Sequence, residues 1–366
     1  MTAPTPRQRP ASATPSASQQ ATPLRLLLVA MLAAACQDGT SPTAPDGGAS
    51  YRKVGSHQPE YRKAGGGPQE LVGVEPGGMG APLVGGRIVY SHGVYSTAQL
   101  FTMGYNGGDR QQLTTGTEPA LEPAWSPDYT RIAYVLRTAT GEHRLATVGA
   151  DGKHQQVLTT MPGVMSAPRW SPDGKTLVFS YRPGGANRSD VVRIPAAGGP
   201  LTLLTNDVFG GRDAVFTRDG QRLVYASPRV SRDGAQWDLF TMSATTGQLG
   251  TRLTNTAEDE TEPALSPDGT RLLFHRAAYD ANGQSVQHRI VLAKADGSAE
   301  RTLVALLNGP VVSSPTWSRD ASMAVWAHRP NGGAGELVRA YVDGAPLPTS
   351  LTGQVAPAPT APNWAY

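Results

Sequence analysis

The chain has almost no cysteine, since Cys36 is the only one among 366 residues. No intrachain disulfide can form, so burial of apolar surface must hold the folded part together. The chain also has few long apolar runs. The most apolar stretch near the N-terminus, residues 24–35, is 12 residues long and is interrupted by Arg25. A membrane-spanning helix needs about 20 such residues, so this run is too short to be one.

A bias of charge is missing as well. Three of the 32 basic residues lie in the first 35 positions, which hold no acidic residue, and 29 basic residues then face 29 acidic ones. This balance gives no support to nucleic-acid binding, which requires a basic stripe on the folded domain. The sequence also contains no Gly-x-Ser-x-Gly elbow, no phosphate-binding loop and no zinc-ligand spacing. We therefore expect no enzymatic activity and no resident cofactor.

The N-terminal segment has the features of a secretory leader. Arg7 and Arg9 precede the apolar run, which ends in small residues, as in signal peptides. The run 32–36, Leu-Ala-Ala-Ala-Cys, resembles a bacterial lipobox. The resemblance implies that Cys36 is acylated and becomes the mature N-terminus, and that Gln37 after it directs the protein to the outer membrane. An ordinary signal peptide with an incidental cysteine remains the alternative.

Residues 36–84 are rich in Gly, Pro, Ser and Ala and show almost no apolar periodicity. Such a segment buries too little surface to offset its ordering entropy, so it is predicted to be a disordered tether. The expected domains are a lipoprotein signal peptide over 1–35, the tether over 36–84 and a folded domain over 85–366.

One sequence motif recurs along the folded part, and its clearest copy is residues 168–183, PRWSPDGKTLVFSYRP. Its aspartate returns at intervals of 45, 46, 49 and 52 residues, as Asp128, Asp173, Asp219, Asp268 and Asp320. Periods of this length, with several short strands in each, are typical of β-propellers. The five aspartates follow a Ser-Pro or its degenerate form, and turn chemistry explains them better than a ring of catalytic carboxylates.

Each unit contains the parts of one four-stranded antiparallel blade. A Trp-bearing strand leads into the turn, an apolar strand such as 177–179 leaves it, and a third strand such as 237–242 follows. A fourth strand ends in Leu-Thr, as at 158–159. Apolar runs this short, bounded by turn residues, indicate strands buried on both faces.

The two ends of the domain predict how the array closes. The first unit begins at its second strand, 87–90, and the chain finishes on an orphan first strand, 361–366. Together they complete one blade, which gives six. The predicted fold is an all-β, six-bladed β-propeller of four-stranded antiparallel blades, closed by pairing of the N- and C-terminal strands, which removes exposed sheet edges.

The repeated Pro-x-Trp-Ser-Pro-Asp-Gly units resemble those of TolB-type β-propellers over residues 85–366. Arg182 and Arg329 match the arginine that follows the second strand in that family, and Arg137 does so without the preceding serine. TolB itself carries a preceding α/β domain that has no counterpart here, so its Tol–Pal role is not implied. Similar propellers also form the non-catalytic part of prolyl-oligopeptidase-like peptidases.

Loop length favours one face of the propeller for binding. Turns between the first and second strands and between the third and fourth strands share one face, called here the turn face. The second-to-third loops and the interblade segments share the other, the loop face. The loop-face segments are long and irregular, and such loops on a rigid scaffold commonly carry function. The predicted second-to-third loops are 182–189, 228–236, 277–287 and 329–335, and the predicted interblade segments are 118–122 and 256–262. The partner-binding residues predicted there are Glu118, Glu122, Arg182, Arg188, Arg229, Arg232, Glu258, Asp259, Glu260, Glu262, Arg276 and Arg329.

Three groups within or near this set have competing interpretations. The acidic run 258–262 is predicted to be a solvated loop, with Ca²⁺ or a basic partner as the alternative. Ca²⁺ in the channel is left open as well. The arginines form ion pairs between blades or receive an anionic ligand. His92, His275 and His328 lie in consecutive blades, but His275 is one residue out of register, which argues against a shared metal. Trp125, Trp170, Trp317 and Trp364 are predicted to pack between blades.

The predicted function is that of a non-enzymatic, monomeric envelope lipoprotein whose loop face binds a protein or peptide, on the periplasmic side of the outer membrane or on the cell surface. Its contact with the membrane is only through the lipid, and it binds no nucleic acid. The alternative is a carbohydrate-binding or carbohydrate-active propeller with its site at the channel mouth. Paired carboxylates near the axis, lined by aromatic rings, would favour that alternative.

Replacing Cys36 by Ser should release the domain into the soluble fraction, because the acyl chains that hold it would have no attachment site. Fractionation of cells expressing the two forms measures this. If Cys36→Ser still needs detergent for extraction, acylation at this position is wrong.

Overall fold

The computed structural model describes residues 86–93, 96–229, 236–280, 283–307, 310–330, 335–343, 348–352 and 360–364. Cys36, the predicted tether and Arg232 lie outside these ranges. In the described part every regular element is a β-strand, and the strands form six separate four-stranded antiparallel sheets. Six blades were predicted, and six are found.

The first three blades are built from consecutive strands. Those of the first are β1 (Arg87–His92), β2 (Gln99–Gly104) and β3 (Gln111–Gln112). Those of the second are β4 (Ala120–Trp125), β5 (Arg131–Arg137), β6 (His143–Gly149) and β7 (Gln156–Val157). Those of the third are β8 (Val164–Trp170), β9 (Thr176–Arg182), β10 (Asp190–Pro195) and β11 (Thr202–Leu203).

The remaining blades repeat this order. The fourth contains β12 (Arg212–Phe216), β13 (Arg222–Ser227), β14 (Asp238–Ser243) and β15 (Leu249–Arg252). The fifth contains β16 (Asp259–Leu265), β17 (Arg271–Tyr279), β18 (Ser285–Lys294) and β19 (Arg301–Leu307). The sixth contains β20 (Val311–Trp317), β21 (Met323–Arg329), β22 (Glu336–Tyr341) and β23 (Thr349–Ser350), and the last strand is β24 (Thr360–Trp364).

The ring closes as the sequence predicts. Strand β24 pairs antiparallel with β1, so that Ile88 lies opposite Trp364 and Val89 opposite Asn363. The first sheet therefore has the order β24-β1-β2-β3 and takes its innermost strand from the C-terminal end of the chain.

Large apolar side chains fill the space between blades. The second strand of each blade carries a buried aromatic residue at the same position, 0–3% exposed in every case: Tyr90, Tyr134, Phe179, Tyr225, Phe274 and Trp326. The recurrent tryptophans also pack between blades. Trp170 Nε1 donates to the Ala124 carbonyl at 3.0 Å, and Trp317 Nε1 donates to the Ala264 carbonyl at 2.8 Å. The interblade role predicted for these two tryptophans is confirmed.

The aspartates of the repeat are turn residues, as predicted. In the third blade the Asp173 carboxylate accepts hydrogen bonds from Ser171 Oγ at 2.6 Å and from the Lys175 N–H at 3.1 Å. The same hydroxyl-to-carboxylate bond recurs at Asp128, Asp219, Asp268 and Asp320. Tyr129 and Ala321 replace the glycine of the turn and still adopt its left-handed conformation, with φ of 58° and 56°. That conformation costs a residue with a Cβ about 1–2 kcal/mol.

The Leu-Thr pair at the end of a unit joins the end of the outer strand to the third strand through two hydrogen bonds. We call this arrangement the Leu-Thr clasp. In the second blade the Leu158 N–H donates to the Leu145 carbonyl at 2.8 Å, and Thr159 Oγ1 accepts the Leu145 N–H at 2.9 Å. The same threonine bond ends the outer strand at Thr114, Thr205, Thr254 and Thr352. The clasp follows an outer strand of only two to four residues in these five blades.

Three loop-face predictions are wrong because strands continue further than their sequence suggests. The acidic run 258–262 is not a solvated loop, since Asp259 begins β16 and Glu260 is fully buried. The segment 277–287 is largely strand, because β17 runs to Tyr279 and β18 starts at Ser285. Likewise, Glu122 of the predicted segment 118–122 lies inside β4.

Deleting residues 362–366 should lower the melting temperature by several degrees, because β1 would lose the strand that covers its inner edge. Thermal unfolding followed by circular dichroism measures the change. The matched control deletes only residues 365–366, beyond the end of β24, and should leave the curve in place. Equal melting curves for the wild type and the longer deletion would contradict closure.

Candidate functional site: the axial channel

The innermost strands share a backbone irregularity that shapes the channel along the axis. In each of the five blades where these side chains are described, the pairing of the first and second strands shifts at a β-bulge. One residue of the bulge is left-handed, with φ between 50° and 56°: Glu122, Ala167, Asp213, Glu262 and Ser314. Bulges commonly redirect a side chain. Here the residue stands directly before the Pro-x-Trp segment, or before its counterparts at 214–216 and 263–265.

The acidic bulge residues connect neighbouring blades. Glu122 Oε2 accepts the Ala167 N–H of the third blade at 2.5 Å. Glu262 Oε2 accepts the Ser314 N–H of the sixth blade at 2.6 Å. Each carboxylate thus holds the strained bulge residue of the next blade. The Glu262 N–H of the fifth blade lowers the pKa of the Asp213 carboxyl in the fourth blade.

The third blade lacks an acid at this position, and a hydroxyl replaces it. Ser180 Oγ accepts the Asp213 N–H of the fourth blade at 2.9 Å. Three of the four junctions from the second blade to the sixth therefore have a side-chain acceptor for a left-handed N–H. These bonds satisfy backbone N–H groups at the blade junctions, which would otherwise lack a partner, and they stabilise the ring in that way.

The three carboxylates converge although they come from different blades. Burial raises the pKa of Glu122 to about 7, and the charges of Asp213 and Glu262 raise it further, while the Ala167 N–H lowers it. Burial also raises the pKa of Asp213 and of Glu262. The neighbouring guanidinium of Arg169 lowers the pKa of all three carboxyls. The channel therefore contains three acids and a compensating arginine.

A cavity of about 260 Å³ opens at the turn-face end of the channel. We call this cavity the funnel and define it by its lining: Ala124, Trp125, Pro127, Arg169, Trp170, Pro172, Val215, Phe216, Arg218, Ala264, Leu265, Ser266, Pro267, Pro315 and Thr316. Most of the lining is apolar, and turn prolines surround its rim. Its charged groups are two arginines, and none of these lining residues is acidic.

The tryptophans of the funnel do not offer open ring faces. Trp170 is only 8% exposed, and the Arg131 guanidinium lies 4.8 Å from its ring centroid. Trp317, beside the funnel, is fully buried and is covered by Arg271 at 5.0 Å. Stacking of a sugar ring needs an accessible aromatic face, and at these positions arginines and neighbouring blades already occupy it.

Several arginines predicted on the loop face are already paired within the protein. Arg276 is buried and donates through Nε to Glu260 at 2.7 Å and through its two terminal nitrogens to Glu300 at 2.8 and 2.9 Å. Arg289 forms an ion pair with Glu258. Arg276 is therefore used in ion pairs, as the structural interpretation expects, but its partners Glu260 and Glu300 belong to its own blade rather than to a neighbouring one.

The other predicted residues of the loop face are placed as follows. Arg229 pairs with Asp207 at 2.6 Å, and Arg188 lies 3.5 Å from Asp190. The Asp259 carboxylate accepts the Trp237 N–H at 3.0 Å. Exposed positions are Arg182 and Arg329, and Glu118 is half-buried. Glu122 and Glu262 point into the channel, so the structure divides the predicted set between two locations.

A second acidic pair lies buried between the fourth and fifth blades. Asp238 and Glu260 are both fully buried, and Arg252 Nη2 donates to Asp238 at 2.8 Å. Burial raises the pKa of Glu260 to about 7, an effect that its bond with Thr256 and the Arg276 charge oppose. Burial also raises the pKa of Asp238. These groups are part of the blade junction and are inaccessible to a partner.

The histidines make separate contacts. His275 Nε2 lies 2.9 Å from His288 Nδ1, and the two rings stack with centroids 5.1 Å apart. His328 Nδ1 lies 3.0 Å from Glu336. Across the described ranges, no three His, Cys, Asp or Glu side chains are grouped so as to hold a metal ion. No helix that is long and apolar enough to cross a membrane occurs in that part of the chain either.

Sequence reasoning missed Asp213, Arg169 and Ser180 as channel residues. A signal for the acids was present, because Glu122 and Glu262 each stand directly before a Pro-x-Trp segment or its counterpart, and Asp213 holds the same position. Arg169 occupies the x position of that segment, where the other described blades have Ala124, Val215, Ala264 and Thr316. No sequence signal identifies Ser180.

Replacing Glu122 by Gln should stabilise the protein at pH 8 and have little effect at pH 5. The pKa of Glu122 is raised from 4.5 to about 7, so the folded state binds more protons than the unfolded state between these values. Stability from this group therefore falls as the pH rises through that window. Gln keeps an acceptor for the Ala167 N–H without the buried charge. Melting temperatures measured from pH 5 to 8 give the difference between the two proteins.

Glu142→Gln is the control, since Glu142 lies exposed on the same blade. Its melting temperature should differ from wild type by the same small amount at every pH. A Glu122→Gln difference that does not change with pH would contradict the burial of a charge at this position.

Comparison with known proteins agrees with this architecture. TolB from Acinetobacter baumannii superposes with a TM-score of 0.62 at 24% sequence identity, over 76% of this chain and 66% of that one. This chain thus spans slightly less than two thirds of that protein. A putative TolB from Agrobacterium tumefaciens gives 0.55 at 19% identity, over 73% and 88% of the two chains. Hydrazine synthase from Kuenenia stuttgartiensis gives 0.59 at 12% identity, over 77% and 47%.

At these identities the structural likenesses show the fold alone. The family match is more specific, because the TolB beta propeller domain family matches residues 84–362, which is more than half of the chain. The chain belongs to the TolB beta propeller domain family.

Proposed function

We propose that this protein is a non-enzymatic, protein-binding propeller of the bacterial envelope, which takes an extended segment or loop of a partner into the funnel. The observation that carries the proposal is the funnel itself, an apolar cavity of about 260 Å³ on the axis with two arginines in its lining. Concave, mostly apolar sites with a few placed polar groups are the usual form of binding sites.

The chemistry of the lining indicates what the partner segment contains. Val215, Phe216 and the turn prolines receive apolar side chains, since burying these surfaces is favourable. Arg218 at the rim is exposed and donates only a long bond to the Pro267 carbonyl, 3.2 Å. It favours an acidic residue on the partner, because a carboxylate matches the guanidinium fork. The partner segment is therefore apolar at its tip and acidic beside it.

The contacts of the channel acids support a non-enzymatic function. Glu122 and Glu262 each hold a backbone N–H of the next blade at 2.6 Å or less. A general acid or base must be within hydrogen-bond reach of its substrate, and these oxygens already have structural partners. This is also why we prefer a protein partner to the carbohydrate alternative, together with the covered faces of Trp170 and Trp317.

The proposal moves the binding site from the loop face to the turn face. Arg276, Glu260, Glu258 and Arg229 of the loop-face prediction are engaged in ion pairs, which leaves fewer groups for a partner there. Arg182 and Arg329 are exposed on the loop face, so binding at that face remains a competing prediction. Attachment by an acylated Cys36 would place the propeller at the periplasmic side of the outer membrane or at the cell surface.

A photo-crosslinking amino acid at Arg218, introduced into the full chain in the native envelope, tests the site. We expect crosslinks to a protein, and we expect Ala264→Trp to abolish them because the indole would fill the funnel. The control carries the crosslinker at Arg329 on the loop face. Crosslinks only from Arg329 would return the site to the loop face. Loss of protein capture together with retention on a glycan column would support the carbohydrate alternative instead.

A further inference from the structure

The guanidinium of Arg169 is not used in an ion pair. It donates one hydrogen bond, from Nη1 to the carbonyl of the adjacent Pro168 at 2.8 Å. In the described part of the chain Arg169 forms no ion pair, whereas Arg229, Arg252 and Arg276 each form one at 2.6–2.8 Å. The side chain is partly exposed and lines the funnel. A guanidinium has five N–H donors, so Arg169 keeps donors for a molecule that enters there.

Arg169 marks the inner end of the funnel. It lies in β8, whereas Arg218 lies in a turn at the outer rim. The charge of Arg169 acts on the carboxyls of Glu122, Asp213 and Glu262, which are not part of the lining. A chain that enters from the turn face therefore meets the apolar wall first and this guanidinium last.

The chemistry of that inner end favours a carboxylate. A planar guanidinium matches the two oxygens of a carboxylate, and a charge-assisted bond of this kind is stronger than a neutral one. The surrounding wall is mostly apolar, with Val215 and Phe216 among its residues. The group that reaches Arg169 should therefore combine one negative charge with an apolar side chain next to it.

The size of the funnel favours a chain end over a loop. Its volume of about 260 Å³ is below the roughly 300–1,000 Å³ of pockets that enclose a drug-sized ligand. A loop must enter and leave, and two paired strands need about 4.8 Å between their axes in addition to their side chains. A chain end needs only one passage. Its last residue also carries a carboxylate beside its own side chain.

We propose that Arg169 binds the α-carboxylate of the C-terminal residue of a partner protein, and that the apolar side chain of this residue packs against Val215 and Phe216. This inference rests on the proposed function, because it names the part of the partner that enters the funnel. Capture of a free chain end is a known mode of peptide recognition. Arg218 at the rim then meets an acidic residue a few positions before the end.

The charges around Arg169 make this binding depend on pH. Besides Arg169 itself, the charged or titratable side chains that act on one another across the channel are Glu122, Arg212, Asp213, Glu262 and His275. Burial and the charge of Arg212 lower the pKa of His275 to about 4, so this ring is uncharged between pH 6 and pH 8. When all three acids are ionised, three carboxylates against two guanidiniums leave one net negative charge, which opposes an anion.

Protonation of Glu122 removes that net charge. Its pKa is raised to about 7, so one negative charge is lost as the pH falls through this value. A carboxylate bound at Arg169 adds a like charge nearby and raises the pKa of Glu122 further. By linkage, the carboxylate binds more tightly to the protonated form. For a further rise of one pKa unit, the affinity at pH 6 should be about five times that at pH 8.

Two peptide mixtures test the proposal on the immobilised full chain. Both contain the same random octapeptides, one mixture with free carboxyl ends and the other with C-terminal amides, and mass spectrometry identifies the bound peptides. We expect enrichment of free acids that end in an apolar residue. The corresponding amides should bind about tenfold more weakly or worse, because they lack the charge that pairs with Arg169. Ala264→Trp, which fills the funnel, should retain neither mixture.

Three variants separate recognition of the carboxylate from a general effect of charge. Arg169→Gln should remove the preference for free acids and leave the selection of apolar ends. Arg169→Lys keeps a positive charge but loses the planar fork, so its preference should be intermediate. The control is Arg222→Gln, since Arg222 is exposed at the start of β13 and is not part of the lining. It should select peptides as the wild type does, and melting temperatures show that each variant is folded.

Fluorescence anisotropy of an enriched free-acid peptide tests the coupling to protons. The dissociation constant should be about fivefold lower at pH 6 than at pH 8 in the wild type. In Glu122→Gln it should be low at both values, because this side chain can no longer ionise. Binding to the wild type that is equal at both values, or tighter at pH 8, would contradict the coupling.

The outcomes distinguish this inference from the proposed function. Equal retention of acids and amides, both lost in Ala264→Trp, would reject carboxylate recognition and keep the funnel as the binding site. Amides with an internal Asp or Glu that bind as well as the free acids would assign Arg169 to an acidic side chain and reject the chain end. Retention that Ala264→Trp does not reduce, or no retention by the wild type, would reject the funnel and the proposed function with it.

Discussion

The hydrogen bonds between β24 and β1 are the constraint on which the rest of the ring depends. Without them, the first blade would lack its innermost strand, and β1 would present an open edge to the axis. Pairing of the two ends of the domain turns a row of sheets into a closed structure, in which every blade has two neighbours. Each buried aromatic residue of the second strands then packs against the preceding blade, and burial of apolar surface stabilises the fold without a disulfide.

Closure also creates the axis, and the bulges decide what lies along it. Five left-handed residues, each costing about 1–2 kcal/mol in intrinsic conformation, recur at one position of the inner strand. At Ala167, Asp213 and Ser314 this cost is offset in part, because the bulge aligns the N–H with an acceptor from the preceding blade. The three acids Glu122, Asp213 and Glu262 would look like a catalytic cluster if only their positions were known. Their contacts identify them as bonds between blades, which leaves the funnel below them as the accessible part of the channel.

The outer strands of the blades follow a different pattern from the inner strands. Five blades end their outer strand with a Leu-Thr clasp after two to four residues, which keeps the sheet edge short. The fifth blade has no such clasp, and its strands β17, β18 and β19 are longer than the corresponding strands of the other blades. A ring of similar blades thus contains one that differs at its edge, and this blade lacks the threonine hydroxyl bond that accompanies a short outer strand in the other five.

The amino-acid sequence by itself determined the blade count, the strand order, the turns and the closure. These depend on interactions within one unit or on a repeated pattern: Ser171 bonds to Asp173 two residues away, and the orphan strand at the C-terminus can only complete the unit that lacks one. Part of the candidate site was also within reach, because Glu122 and Glu262 were singled out as functional candidates. The sequence did not reveal that these two residues lie in the channel, and it did not reveal that Glu260 is buried in an ion pair with Arg276. Only the tertiary structure decided these points, since curvature of the ring and the shift at each bulge bring together Glu122, Asp213 and Glu262 from three separate blades. No periodicity along the chain encodes the distance between side chains that meet across an axis.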